Sequence, residues 1–473
     1  MDSRNVVTPS GSVRAEVQGG IAIFLAMAYI VVVEPAVLSG RAIGISTGIP
    51  VTAAFTATCL AAAVACFLMG WIGRLPAGAA PYMGENFFFV TALIPAAAAA
   101  GYPEPWRAAL ATTLLASLAL LLVSATGLRG ILAGGVPRTL VHAIAGGIGI
   151  FIAFLGLKSA GIVVADPGTL VGFTAHPLSP DVLVALAGLL VTVALHARGI
   201  RSAVLVGIAA AFILGWGVRT LVPMLPAGIA ENGMVRASAT MSALAPPAAL
   251  LALPPSPSPL FLGLDPSALL DRRLLGGAAV LFLMILFDAT GTLLAVTEVV
   301  AGDRDPAAAP GNAGDTDPRF RRALLADALG SVAAPLIGTS SVGAFMESAV
   351  AAPIGARRGL AAGVAGILFL LALPFAPLVT AFGSYPPATA PALIFVGALI
   401  AAGIRRISWE DPTEAVPAFV TVIGIPLTFS IAHGIALGFV LWPLVKLVSG
   451  RRRDVKPVAW ILGALAALSL VLR

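Results

Sequence analysis

Residues 76–89 read PAGAAPYMGENFFF, and residues 337–353 read IGTSSVGAFMESAVAAP. Each stretch opens with small Gly-, Pro- and Ser-rich residues that do not continue a helix, then turns apolar and helix-compatible. Both sit among long apolar runs. At membrane depth, backbone that is not helical survives only where it faces protein or a water-filled cavity. A pair of short, interrupted segments in corresponding places of two halves is the sequence pointer to a ligand site near the bilayer midplane. The fold therefore turns on whether the rest of the chain divides into two such halves.

Composition places the chain in a membrane. Of its 473 residues 59% are hydrophobic and 11% charged, with a mean hydropathy of +1.01; a soluble chain carries about 25% charged residues. The net charge of +6 reads as Lys and Arg gathered in cytoplasmic loops, with no nucleic acid as partner. Apolar runs of about 20 residues are the length a helix needs to cross the hydrocarbon core. They fall at 18–38, 50–72, 83–98, 107–126, 137–157, 180–196, 201–222, 275–298, 320–337, 342–354, 358–381, 388–404, 413–430 and 431–449, fourteen in all. A further stretch, 457–472, either spans or lies in the interface. Alternating from a cytoplasmic N-terminus puts most of the 28 Lys and Arg inside, which supports both the count and the orientation. The polar start, MDSRNVVTPSGSVRAEVQGG, has no obvious cleavage site, so the first run reads as a retained span. The expectation is a multi-pass protein of a bacterial inner membrane.

The connection 223–274, with PPAALLALPPSPSP at 246–259, divides the spans. It leaves a first repeat at 1–222, a periplasmic connection at 223–274, a second repeat at 275–450 and a C-terminal tail at 451–473. Seven spans per half, an odd number, force the second half to enter the membrane upside down, as in inverted-repeat transporters. The cytoplasmic loop GDRDPAAAPGNAGDTDPRFRR at 302–322 lacks the spacing of a calcium loop and reads as a solvated linker.

Polar residues inside the apolar runs are the candidates for function, because each costs several kcal/mol unless partnered. Asp288, in FDATGTLL at 287–294, lies deep in its span on a face of small residues with Gly291, Thr292 and Ala295. Its alternative is a structural carboxylate bound to another helix. Glu347 follows Gly343 by four residues, in the first turns of a half-helix whose positive end favours a carboxylate. Asn86 occupies the matching place in the third span, as a ligand contact or a helix cap. Glu85 either lines the same site or points to water, and Glu34, before Pro35 where the first helix should bend, is placed near the outer surface. His142 and His433 read as packed residues or proton carriers. Phe24, Tyr29, Phe88 and Phe345 are packing aromatics of which one stacks on a flat ligand. Cys59 and Cys66 are core residues on one helix that cannot form a disulfide. The sequence offers no metal cluster, nucleophile elbow or phosphate loop, hence no cofactor and no enzyme.

In order along the chain, EVQGGIAIFLAMAYIVVVEPAVLSG, APYMGENFFF, LFDATGTLLAV, RALLADALGSVAAPLIGTSS, MESAVA and EAVPAFVTVIGIPLTFSIAHGIALGF resemble the motifs of the xanthine/uracil permease (nucleobase–ascorbate transporter) superfamily, in particular its azaguanine-type guanine/hypoxanthine/adenine permeases. The resemblance covers about residues 16–450. It implies an all-α polytopic fold of about fourteen spans in two inverted repeats of seven, core and gate domains, and short strands in broken segments 3 and 10. It implies proton symport, a possible homodimer, and nucleobase-holding carboxylates at the positions of Asp288 and Glu347, with Asn86 matching the third-span Asn. The chain departs from that branch at Tyr82, where Gly is usual, at Glu85, usually apolar, at Glu34, usually Asn, and at SSVGAF, usually Thr-rich.

These readings give one expectation. Asp288 and Glu347 converge on a wet pocket and accept N–H groups of a purine such as guanine, hypoxanthine, adenine or xanthine. Asn86 serves its carbonyl or ring-nitrogen edge, Phe345 stacks on the ring, and Glu85, Thr292 and Gly343 complete the site. Asp288, Glu347 or Glu85 carries the coupling proton. The rivals are a carrier of an organic anion such as urate or ascorbate, and a membrane receptor without flux.

Overall fold

The computed structural model describes residues 12–126, 137–224, 226, 228, 232–301 and 318–471. It is helical almost throughout, because in hydrocarbon a helix satisfies its own backbone. Ten of the described helices are long and apolar enough to cross a bilayer, and Met83–Ala99 and Pro412–Leu427 are shorter apolar helices. Residues 302–317 of the expected cytoplasmic linker lie outside the described residues.

The elements up to the long connection are α1 (Val13–Met27), α2 (Ile30–Leu38), α3 (Val51–Leu68), β1 (Ala79–Pro81), α4 (Met83–Phe88), α5 (Ile94–Ala99), α6 (Pro105–Thr126), α7 (Arg138–Ser159), β2 (Val163–Asp166), β3 (Leu170–Phe173), α8 (Pro180–Ala197) and α9 (Ala203–Leu221). After it come α10 (Arg272–Ala301), α11 (Pro318–Ile337), β4 (Val342–Ala344), α12 (Leu360–Leu371), α13 (Ala376–Gly383), α14 (Pro386–Ala401), α15 (Pro412–Leu427), α16 (Ile431–Val448) and α17 (Pro457–Val471). The first helix breaks between Met27 and Ile30, ahead of Pro35. The hairpin β2–β3 has no counterpart in the sequence reading. Its turn is Asp166–Pro167–Gly168–Thr169, where Asp166 Oδ1 accepts from the backbone N–H of Gly168 (2.8 Å) and Thr169 (2.9 Å).

Two helical bodies result. In one, α1 packs on α12, α3 on α11 and α12, and α6 on α10 and α11. In the other, α7 packs along α14 and α15, α8 on α9 and α14, and α15 on α16. Between helices in lipid, close approach through small residues replaces the hydrophobic drive. A Cβ on Gly359 would sit 1.9 Å from the carbonyl oxygen of Gly70, so α12 and the turn after α3 touch backbone to backbone. The long connection is tied to both bodies. Asp181 accepts from Ala239 N (2.7 Å) and Thr240 N (2.8 Å), while Leu262 N donates to Leu336 O (2.7 Å).

Candidate functional site

The two interrupted segments meet. β1 and β4 pair antiparallel, with Ala79 opposite Ala344, Ala80 opposite Gly343 and Pro81 opposite Val342. A strand pair of this length leaves many backbone groups to satisfy, and side chains from the first body do it. Cys66 Sγ accepts from Ala79 N at 3.3 Å, Ser348 Oγ accepts from Gly78 N at 2.8 Å, Ser331 Oγ donates to Val342 O at 2.6 Å, and Asp327 Oδ1 accepts from Ala344 N at 2.8 Å. Asp327 and Ser331 share one face of α11, four residues apart. Both belong to RALLADALGS, which the sequence reading quoted without weighing Asp327. A carboxylate inside an apolar helix is the sequence signal that distinguishes Asp327; Ser331 carries none.

Beyond the strands the segments differ. β1 leads through Tyr82 into the α-helix α4, whereas β4 leads through Phe345 into a six-residue 3-10 turn, Met346–Ala351. The expected half-helix around Glu347 is therefore a short turn, and a turn of that length has little dipole to offer a carboxylate. Tyr82 and Phe345 hold corresponding corners, each extended and each leading into its helical segment. Their rings stack on each other with centroids 5.5 Å apart and planes 22° apart.

Every acid expected at the site is placed by this framework, but the partnerships are different from those expected. Asp288, on α10, lies within hydrogen-bonding reach of Glu85, on α4. The acid paired with Asp288 is Glu85 and not Glu347, which is half-buried near the buried Tyr29. Glu85 is fully buried, and neither of its carboxyl oxygens receives a conventional donor among the described residues. None of the ion pairs described involves Glu85 or Asp288; they join groups near the helix ends, such as Lys446 to Glu414 at 2.7 Å. Two carboxyl groups this close repel one another when both are ionised, and none of the ion pairs described offsets that repulsion.

Asn86 is fully buried beside this pair, but both ends of its amide are taken. Its N–H donates to Glu34 Oε2 and its carbonyl accepts from Ser340 Oγ; Thr339 Oγ1 donates to the other Glu34 oxygen at 3.2 Å. Glu34 is thus a fully buried member of a network joining α2, α4 and the approach to β4, rather than a surface residue. Thr292 lies beside the hydroxyl of Tyr82, which donates to Ala344 O at 2.8 Å, and Gly343 lies under the ring of Tyr82. His142 stands in the first turns of α7 near Arg138 and Arg406, and His433 in the first turn of α16, so neither is part of the carboxyl pair.

Asp288 also borders a cavity of about 20 Å³ between the two bodies, where Ile148 of α7, Met284 and Phe287 of α10 and Ile435 of α16 form apolar walls. That volume holds a single water molecule. The acids therefore sit at the seam between the bodies, closed to anything larger in this conformation.

The Permease family model of xanthine/uracil permeases matches residues 14–437. A putative permease of Methanocaldococcus jannaschii is 35% identical over 97% of this chain and 95% of its own. The adenine permease AdeP of Escherichia coli is 36% identical, covering 97% of this chain and 93% of that one, and the guanine/hypoxanthine permease PbuG of Bacillus subtilis 35%, covering 95% and 94%. The transmembrane domain of the cyanobacterial bicarbonate transporter BicA shares the fold, with a TM-score of 0.59 at 17% identity over 91% of this chain and 99% of that one. So does the murine anion transporter Slc26a9, with a TM-score of 0.59 at 10% identity over 95% and 70%. Over nearly its whole length, and through the motifs that build the paired strands and the carboxyl site, the chain is a member of the xanthine/uracil permease family.

Proposed function

We propose that the chain is a secondary active transporter that imports purine nucleobases by proton symport with alternating access. The observation that carries the reading is the pair of a half-buried Asp288 and a fully buried Glu85 at the seam between two helical bodies, supplied with no cation among the described residues. A carboxyl pair offers hydrogen-bond acceptors at fixed spacing, which suit the N–H edge of a base and repel an anion. The names of the relatives support the same class, since they include adenine and guanine/hypoxanthine permeases.

Coupling follows from the pair. One proton is held between the two carboxyl groups; a base that donates to Asp288 takes the place of Glu85 as its partner, the proton stays on Glu85, and it crosses with the base. A cavity of about 20 Å³ cannot hold a purine, so the bodies separate to admit one and close before opening to the other side. Asn86 and Glu34 hold the strand pair and α4 in register, Phe345 and Tyr82 supply the flat wall, and Glu347 stands by as a second acceptor. We count fourteen spans: the ten long helices, Met83–Ala99, Pro412–Leu427, α11 and the β4 segment. They form inverted repeats over 1–222 and 275–450, with the N-terminus cytoplasmic.

The test is accumulation of labelled adenine, guanine and hypoxanthine by proteoliposomes, with and without an inward proton gradient. Gradient-driven accumulation of at least one base is expected. Accumulation of urate or ascorbate with none of the purines would replace this reading by the organic-anion one.

A further inference from the structure

Tyr82 is held from four sides. Its ring stacks on Phe345, its hydroxyl donates to Ala344 O at 2.8 Å, Thr292 stands alongside that hydroxyl, and only 8% of the residue is exposed. Beneath the ring is Gly343. A Cβ built on Gly343 would lie 2.1 Å from a ring carbon of Tyr82 and 2.6 Å from its hydroxyl oxygen, far inside any real contact. The end of a flexible side chain could yield to such a clash. This ring cannot, because stacking and the hydrogen bond across the strand pair fix it from both directions. Tyr82 thus fills, from β1, the volume that a side chain on β4 would otherwise take. Tyr82 also stands at the N-cap of α4, three residues before Glu85, and Thr292 beside its hydroxyl follows Asp288 by one turn of α10, so the ring is a neighbour of the carboxyl pair.

We propose that Tyr82, seated on Gly343, is the size filter of the ligand site: it admits parent purine bases and excludes those carrying a substituent on the edge that meets the ring. The inference rests on the purine-transport reading above and adds a selectivity residue to it. A wall fixed by both strands discriminates by steric exclusion, where even one methylene is worth about tenfold or more. The hydroxyl plays its part by fixing the ring; Phe at position 82 keeps the volume and the stack.

The experiment is competition for uptake of whichever labelled purine the wild type accumulates, using the unlabelled parent base and its methyl- and benzyl-substituted forms. In the wild type, the parent competes and the benzyl forms do not. In Tyr82→Gly, the substituted forms compete at concentrations at least about tenfold lower. Tyr82→Phe keeps the wild-type ranking. Gly343→Thr alone loses protein from the membrane, and adding Tyr82→Gly restores it with the widened ranking. That double variant supplies the reading if Tyr82→Gly does not fold. An unchanged competitor ranking in the folded variants, with the parent base still carried, overturns the filter and leaves the transport reading standing. A wild type that accumulates no purine removes both.

Discussion

Glu16 on α1 and Glu85 on α4 are both buried glutamates, and they live in opposite surroundings. Glu16 is 1% exposed and accepts three backbone N–H groups at the start of α12, from Arg357 at 2.6 Å, Arg358 at 2.9 Å and Ala361 at 3.3 Å. Ala361 N is an orphan donor of the first turn of α12 and the other two belong to the turn that leads into it, so the carboxylate fixes the start of that helix. Glu85 is 0% exposed and has no such donor; its neighbour is another acid, Asp288. A buried charge whose acceptors are all used is structural. A carboxyl group whose neighbour is another acid keeps acceptors that a ligand can claim. Glu34 stands between the two cases, buried and saturated, but by the side chains of Asn86 and Thr339 instead of backbone.

The largest effect expected from this contrast is at Asp288. Asp288→Asn should reduce purine uptake by about 100-fold or more, since the site then presents a neutral amide where the base needs an acceptor. Membrane levels and thermal stability should stay near wild type, as the amide keeps the shape of the carboxyl group and can hydrogen-bond to Glu85. Uptake above a tenth of wild type in Asp288→Asn would break the distinction between the two glutamates.

Glu16→Ala should act in the opposite register. It strips the cap from α12 and should cost about 3 kcal/mol of stability, read as a lower melting temperature in detergent. Transport per molecule of folded protein and the ranking of competing bases should not change. A Glu16→Ala variant that is stable but selectively inactive would place this carboxylate in the transport machinery.

The proposed proton coupling also implies a pH dependence. Raising the pH removes the shared proton and leaves two like charges in contact, so wild-type binding of base should weaken as pH rises. Glu85→Leu leaves Asp288 without a like-charged neighbour, and its base binding should lose most of that dependence. The measurement is affinity of purified protein for its base across pH 5 to 9, with a difference of about tenfold between the two proteins at the alkaline end. Parallel profiles would show that Glu85 does not share the proton.

The smallest effect concerns the network. Glu34→Gln keeps an acceptor for the Asn86 amide and should cost only about 1 kcal/mol, with uptake within a few-fold of wild type. Glu34→Ala, which strands that amide, should be several-fold worse. Equal losses in the two would mean that the charge of Glu34, and not its hydrogen bonds, is what matters.

The apolar runs, the surplus of Lys and Arg in alternate loops and the two Gly/Pro/Ser-rich openings were legible in the residues, because bilayer thickness, charge translocation and the need to satisfy backbone act locally along the chain. They identified a membrane transporter fold and singled out Asp288, Asn86, Glu85 and Glu347. Which acid touches which was decided by packing. Asp288 and Glu85 are 203 positions apart in the sequence numbering and meet because β1 pairs with β4 while α10 lies against both segments. The saturation of Asn86 by Glu34 and Ser340, the service of Asp327 and Cys66 to the strands and the seat of Tyr82 on Gly343 likewise depend on contacts between separate segments. Sequence spacing fixes which residues share a face of one helix. It carries no record of the face that another helix brings opposite, and in this protein that opposing face determines whether a buried acid is a cap or a site.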